Sequence, residues 1–265
     1  MKKSSKESKK KKQIYLLIFL VLVLIAIDYP LIDKALENFF VDYEIGFVER
    51  VIDGDTIVVN GTNVRLLGIN SPETGEEYSK EAKNYLENLT LNKLVKMKKS
   101  KEDKDLYGRS LRYIFVDTKN VNLNLVERGF ANFYFPSGKD SYYQDMKKAW
   151  ERCLTGNRNL CQQSQERCAS CIKIKEFDVR NQKIVFENSC SFYCDLTDYT
   201  IKDEGRKKFI FPSFVLEKKV TIIVGEGENT KDSLFWTGED YVWTETGDTL
   251  FLRDQNNKLV LWRSY

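Results

Sequence analysis

Two aspartates, Asp53 and Asp55, flank one glycine in RVIDGDTIVV, residues 50–59, between two runs rich in β-branched residues. The plainest use of Asp-Gly-Asp is a solvated surface turn, since tight turns select these residue types. Its other use is to hold a positive group between two acids that otherwise repel each other. Asn60-Gly61 is a strong hairpin signal, and folding about it pairs residues whose numbers sum to roughly 121. On that register Asp55 faces the Leu66 region with Arg65 beside it, and Asp53 lies near Gly68. Asp53, Asp55, Arg65 and the segment Asn70-Ser71-Pro72-Glu73 then collect at one edge of a small sheet.

The sequence contains no histidine. Ser-His-Asp triads, Cys-His pairs and His-ligated zinc sites are therefore excluded. Any hydrolysis must run on carboxylates, arginines, tyrosines or an oxygen-held metal. A carboxylate base supplies about 10² to 10⁴-fold of a hydrolytic rate, and the rest of the barrier falls to electrostatics. Guanidinium forks match phosphate oxygens, and a hard dication takes oxygen ligands. Each residue also has a simpler use: Arg65 pairs with Asp55 to close a strand edge, and Glu73 is a first-turn helix acid.

These residues need a sheet edge to hold them. FVERVI, TIVV and VRLLGI read as strands around the hairpin, followed by a helix carrying Tyr78, Ala82, Tyr85, Leu86 and Leu89, and strands near 94–97 and 110–116. Asn122 reads as a helix N-cap, Gly129 as a helix stop, and a further helix runs over about 140–151. A lysine-rich stretch (Lys93, Lys96, Lys98, Lys99, Lys101, Lys104) precedes Arg109 and would edge the site, diluted by Glu102, Asp103 and Asp105.

In this region the chain resembles the staphylococcal nuclease (thermonuclease-like) family. The resemblance is carried in order by VIDGDT (51–56), RLLGINSPE (65–73), YGRSLRYIFV (107–116) and NLVERGFA (124–131). It implies a five-stranded OB-type barrel over 45–163 that binds Ca²⁺ and cleaves DNA and RNA, leaving 5′-hydroxyl and 3′-phosphate ends. Asp55 would be a calcium ligand, Asp53 an outer-shell one, and Ser71 would offer its backbone carbonyl. Glu73 would be the general base, with Arg65 and Arg109 as the phosphate-binding pair. Asn70 stands where the family places a carboxylate ligand; its amide oxygen can coordinate calcium but brings no charge, so weaker metal binding is expected. Leu106 replaces a lysine of the family. Tyr107, Tyr134 and Phe135 are candidates for contacting the nucleic acid, by stacking on bases, with core packing an equal use of the last two.

The net charge of +3 is misleading, because residues 1–12 hold seven lysines and one glutamate and leave the rest mildly acidic. A polyanion would have to be met by a local basic patch. Residues 1–13 are expected to be a basic cytoplasmic tail. Residues 14–27 are apolar without a charge, about 21 Å of helix against a ~30 Å hydrocarbon core, which fits a transmembrane or signal anchor over 14–28. The flanking lysines put the bulk of the chain outside the cytoplasm, anchored or secreted after cleavage. Residues 29–44 read as an amphipathic connector.

Export favours disulfides among Cys153, Cys161, Cys168, Cys171, Cys190 and Cys194. The spacing of Cys168, Cys171, Cys190 and Cys194 also suits a four-thiolate Zn²⁺ site.

Past a linker at 164–170 the texture changes to short apolar runs broken by turns: IKIKEF, KIVFE, YTIKD, KFIF, VTIIV, SLFW, YVW, DTLFLRD and KLVLW. This predicts an antiparallel β-sandwich. Residues 171–265 resemble a lamin-tail domain through KIVFENSC, DLTDYTIKD, KFIFPSFVL and YVWTETGDTLFLRDQNNKLVLW, which implies an immunoglobulin-like accessory module that binds nucleic acid, the envelope or another protein. The fold expected is α+β and mainly β: an OB-fold barrel followed by a sandwich. The function expected is a membrane-anchored extracytoplasmic Ca²⁺-dependent nuclease. A cell-surface module that captures DNA or RNA without cutting is the alternative.

Overall fold

The computed structural model describes residues 14–21, 23 and 43–265. The basic tail, most of the connector and the remainder of the expected anchor segment lie outside the described residues. Residues 14–21 and 23 are helical, and among the described residues no helix is long and apolar enough to cross a membrane. Residues 44–265 form one compact unit.

That unit begins with β1 (Glu44–Val51), β2 (Thr56–Val59), β3 (Thr62–Leu66), the two-residue β4 (Ile69–Asn70), β5 (Leu94–Lys98) and β6 (Ser110–Val116). Five of these close a barrel in the order β3-β2-β1-β5-β6, antiparallel except where β6 meets β3 in parallel. The hairpin register runs from Thr56 opposite Arg65 to Val59 opposite Thr62, as the sequence predicts. Asn60 and Gly61 both take positive φ, 46° and 75°, the backbone a two-residue hairpin turn demands. Val48, Ile57, Val64, Leu66, Val95 and Ile114 point inward and are buried.

β7 (Lys119–Asn120) lengthens the β6 edge, and β8 (Asn132–Phe133) pairs with β4. The helix Ser79–Thr90 buries Ala82, Leu86 and Thr90. The cap of the helix Val121–Glu127 is Asn120, whose side chain accepts from the Leu123 N–H, and not Asn122 as expected. Asn122 is instead buried, accepting from the Ile114 N–H at 2.9 Å and donating to the Leu67 carbonyl at 2.8 Å. Extended backbone at the end of β7 gives Asn120 the cap geometry, which frees Asn122 to tie the helix to the barrel. Gly129 follows the helix with φ 71°. The helix expected over about 140–151 runs from Tyr143 to Gly156.

The second half is a sandwich of two four-stranded sheets. One orders Ser233–Trp236, Lys219–Val224, Lys183–Asn188 and Ile172–Asp178; the other orders Lys208–Ile210, Thr200–Lys202, Thr249–Arg253 and Leu259–Ser264. The strands Lys219–Val224 and Ser233–Trp236 pair in parallel, a departure from the all-antiparallel expectation. Residues 241–243, expected as a strand, are irregular. The Gln182 Oε1 accepts from the N–H groups of Val242 and Trp243 at 2.7 and 3.0 Å, so a side-chain amide takes the place of a strand partner.

All six cysteines are paired: Cys153–Cys161, Cys168–Cys194 and Cys171–Cys190. The zinc reading is thereby overturned, because the four sulfurs it required are consumed in covalent bonds. Three disulfides suit an extracytoplasmic, oxidising compartment.

Barrel and sandwich share a core. Trp150 stacks edge-on against Phe251 at 5.4 Å and Trp262 at 6.3 Å, and Phe133 meets Trp262 at 6.2 Å. Ion pairs Lys258–Glu77 and Lys202–Glu76 bridge the rim. The turn Asp203–Lys207, between the strands Thr200–Lys202 and Lys208–Ile210, is pressed against the barrel. Its Glu204 accepts from the Phe135 N–H at 2.9 Å and from the Thr249 hydroxyl at 3.2 Å.

Three acids are buried at this junction: Asp203, Glu204 and Asp248. Loss of water pushes Glu204 up to about 8. Burial and the neighbouring Asp248 charge push Asp203 up to about 7, and burial pushes Asp248 up to about 6. A carboxyl that holds its proton more tightly when folded contributes most below its unfolded pKa and loses that contribution as pH rises through its folded pKa. The melting temperature is therefore expected to fall between about pH 4 and pH 8. Gln at position 204 keeps the acceptor for Phe135 and offers an N–H to Thr249. Glu204→Gln should flatten that fall and be more stable than the parent at pH 8 in thermal unfolding; parallel curves for the two proteins would contradict the assignment.

Candidate active site

The acidic turn is shaped by close approach. β1 ends at Val51, the Ile52 N–H donates to the Thr56 carbonyl at 2.8 Å, and the Asp55 N–H donates to Asp53 Oδ1 at 3.0 Å. A Cβ on Gly54 would stand 2.7 Å from Ser71 Cβ and 2.8 Å from Ala82 Cβ. Only glycine lets the turn seat against the Ser71 loop and the helix behind it. Its placement brings Asp55 into a buried position where both carboxylate oxygens are engaged.

Asp55 Oδ2 accepts from the Ser71 N–H at 2.8 Å and the Ser71 hydroxyl at 3.0 Å. Its Oδ1 accepts from the Thr56 hydroxyl at 3.1 Å and lies 2.5 Å from Arg65 Nη1. Arg65 Nη1 forms this as an ion contact without an aligned hydrogen bond, while Nη2 donates to Asn70 Oδ1 at 3.1 Å. Asp55, Arg65, Asn70 and Ser71 are all buried. The hairpin register and β4 thus converge four of the sequence-predicted residues on one point.

Arg109 immediately precedes β6. Its Nε donates to Asp105 Oδ2 at 2.7 Å, and Nη1 reaches the Thr56 hydroxyl at 3.5 Å. Arg109 therefore meets Thr56, and Arg65 its neighbour Asp55. The Tyr107 ring sits 5.5 Å from the Arg109 guanidinium and is largely exposed. Arg65, Arg109, Tyr107, Tyr134 and Phe135 line a cleft of about 540 Å³. Phe135 is buried and packs edge-on against Tyr143 at 5.3 Å, so most of its ring serves the core. Burial, then the charge of Asp203, raises the Tyr134 phenol above its ordinary range. Among the expected edging lysines, Lys101 and Lys104 line the cleft, whereas Lys93 donates to the carbonyls of Asn88 and Leu89 at a helix end.

Glu73 is half-exposed, and its Oε1 lies 2.6 Å from Nε of Arg206, which belongs to the sandwich. Gly205 and Arg206 complete the cleft wall. Sequence reasoning missed this contribution: DEGRK reads as an ordinary turn, and nothing local announces that it meets a carboxylate 133 residues earlier. Asn70 explains the meeting. Its Nδ2 donates to the Gly205 carbonyl at 2.8 Å and faces the Glu204 carbonyl at 3.4 Å. The Asn132 Nδ2 donates to the same Glu204 carbonyl at 2.9 Å. An aspartate at position 70 has no donor to offer there.

The oxygens at hand suit a hard cation. Burial and then the Asp55 charge raise Asp53, which leaves two like charges in need of a counter-charge. Asp55 accepts three hydrogen bonds and touches Arg65 Nη1, so a cation would displace the hydroxyl donors of Thr56 or Ser71, which can rotate. Among the described residues no cluster of three or more Asp, Glu, His or Cys forms a closed cage. A two-carboxylate site shared with substrate oxygens is the arrangement these residues fit.

Residues 63–161 match the family model for staphylococcal nuclease homologues, and residues 166–265 match the lamin tail domain model. Over 125 residues the chain is 33% identical to the thermonuclease of Staphylococcus hyicus, covering 43% of this chain and 73% of that protein. Over 105 residues it is 35% identical to the thermonuclease of Staphylococcus intermedius, covering 36% of this chain and 62% of that protein. It is 32% identical to the micrococcal nuclease of Shigella flexneri over 107 residues, 36% of this chain and 60% of that protein. The chain thus spans less than two thirds of two of these relatives. The first family match begins after Asp53 and Asp55, whose place in the site rests on the hairpin register.

Asn70→Asp adds a carboxylate next to the Asp55–Arg65 pair and removes a buried donor between barrel and sandwich. A carboxylate facing the Gly205 and Glu204 carbonyls should cost about 1–3 kcal/mol of stability, seen as a lower melting temperature in chelator. An equal or higher melting temperature would show that the amide's hydrogen bonds are dispensable.

Proposed function

The chain belongs to the staphylococcal nuclease family and carries a thermonuclease-like hydrolase domain, and on that premise we propose that the whole protein is a Ca²⁺-dependent nuclease hydrolysing phosphodiester bonds in DNA, RNA or both. The observation that supports it best is that Arg65 and Arg109 line one cleft with Arg206, while Asp55 contacts Arg65 and Glu73 contacts Arg206 behind that lining. We assign Ca²⁺ to Asp55, Asp53, the Ser71 carbonyl and Asn70 Oδ1; when bound, it supplies positive charge that neutralises the acids and polarises a phosphate oxygen.

The protein's own side chains carry the remaining work. Glu73, half in solvent, accepts a proton from the attacking water. A new P–O bond forms as the bond to the 5′ oxygen breaks, and that oxygen takes its proton from solvent, leaving 5′-hydroxyl and 3′-phosphate ends. Arg65 and Arg109 donate to the phosphoryl oxygens as negative charge accumulates there. Tyr107 and Tyr134 offer ring faces beside the cleft for unpaired bases. The three disulfides and the lysine-flanked apolar segment support an extracytoplasmic, membrane-anchored placement.

Asn70 favours a second reading. A site lacking one family carboxylate could grip nucleic acid without cutting it. Plasmid DNA incubated with the protein distinguishes the two. Degradation in Ca²⁺, arrest by chelator and a loss of at least about 10²-fold in Glu73→Gln are expected; retarded but intact plasmid would favour capture.

A further inference from the structure

We propose that Arg206, carried by the lamin-tail sandwich, is a third phosphate-binding group of the cleft, parked on Glu73 in the free protein and transferred to a backbone phosphate of the polynucleotide on binding. The inference rests on the nuclease reading and goes beyond it, since it makes the substrate site a product of both domains. Arg206 lines the cleft beside Arg65, Arg109, Tyr107 and Tyr134, and its side chain is 59% exposed.

The turn that carries Arg206 is held firmly. Gly205 and Glu204 offer their carbonyls to Asn70 and Asn132, the Glu204 carboxyl accepts from Phe135 N–H and Thr249 hydroxyl, and Asp203 accepts from the Lys207 N–H at 2.9 Å. The backbone is fixed on the barrel rim while the guanidinium stays reachable. A rigid platform with a solvent-accessible cation at its tip is what phosphate capture requires.

The resting contact is easy to exchange. Arg206 and Glu73 are 59% and 46% exposed, and an ion pair in that setting is worth about 0–1 kcal/mol. A phosphate with two free oxygens competes for the same planar fork. Transfer releases the Glu73 lone pair at the moment substrate arrives, so strand binding and availability of the base are linked.

The salt dependence of binding reads this directly. A fluorescein-labelled single-stranded phosphorothioate 12-mer keeps backbone charge and resists cleavage; its affinity would be followed by anisotropy against salt, in Ca²⁺ and in chelator. Arg206→Ala should weaken binding several-fold and reduce the log–log salt slope by about 0.7, the value for one phosphate contact on a single strand. Arg206→Lys should keep the slope and the melting temperature of the parent. Glu73→Gln, which frees Arg206 from its resting partner, should tighten binding by up to about fivefold, a gain absent in Glu73→Gln/Arg206→Ala. An unaltered slope in Arg206→Ala, in a parent that binds and cuts, would overturn this proposal alone. A parent that neither binds nor cuts would overturn the nuclease reading with it.

Discussion

The buried pair between Asp55 and Arg65 is the constraint on which the site depends. Two opposite charges withdrawn from water are costly unless their remaining bonding capacity is met. Here Ser71 gives Asp55 two donors, Thr56 a third, and Asn70 accepts from Arg65. Satisfying the pair therefore fixes the acidic turn, the end of β3 and the segment after β4 in one arrangement. Gly54 permits this, because any side chain there would collide with Ser71 and Ala82. The acid pair that looked unfavourable in a turn is part of a network in which Arg65 offsets the charge of Asp55.

The sandwich is more than an appendage. Phe251 and Leu259 join the barrel core, and Trp262 packs on Phe133 and Trp150. Asn70 has a physical reason to be an amide: it accepts from Arg65 on one side and donates to the Gly205 carbonyl on the other. The Asn70–Gly205 hydrogen bond holds the turn that brings Arg206 to the cleft, and a module whose sequence offers no chemistry becomes a wall of the site.

Local signals carried much of this into the sequence. The Asn60-Gly61 turn set the register that placed Thr56 opposite Arg65, and the apolar period located the strand Ser110–Val116. What escaped were choices made by distant partners. Asn122 reads as the cap, yet it is buried against β6 and Asn120 takes the capping position instead. Val242 and Trp243 have strand-like residues, yet the Gln182 side chain satisfies their backbone. Cysteine spacing allowed thiolate ligands or disulfides, and tertiary proximity settled the pairing. Arg206 was invisible because its meaning lies in Glu73, on the other domain.

In the proposed reaction the Asp55-bound guanidinium of Arg65 acts as a planar fork on the substrate phosphate as well as a partner for the acid. Arg65→Lys keeps the charge and loses the fork. Its kcat/KM on single-stranded DNA in saturating Ca²⁺ should fall by about 10²–10³-fold, with a melting temperature within a few degrees of the parent. Cleavage by the lysine variant at the parent's rate would contradict the account.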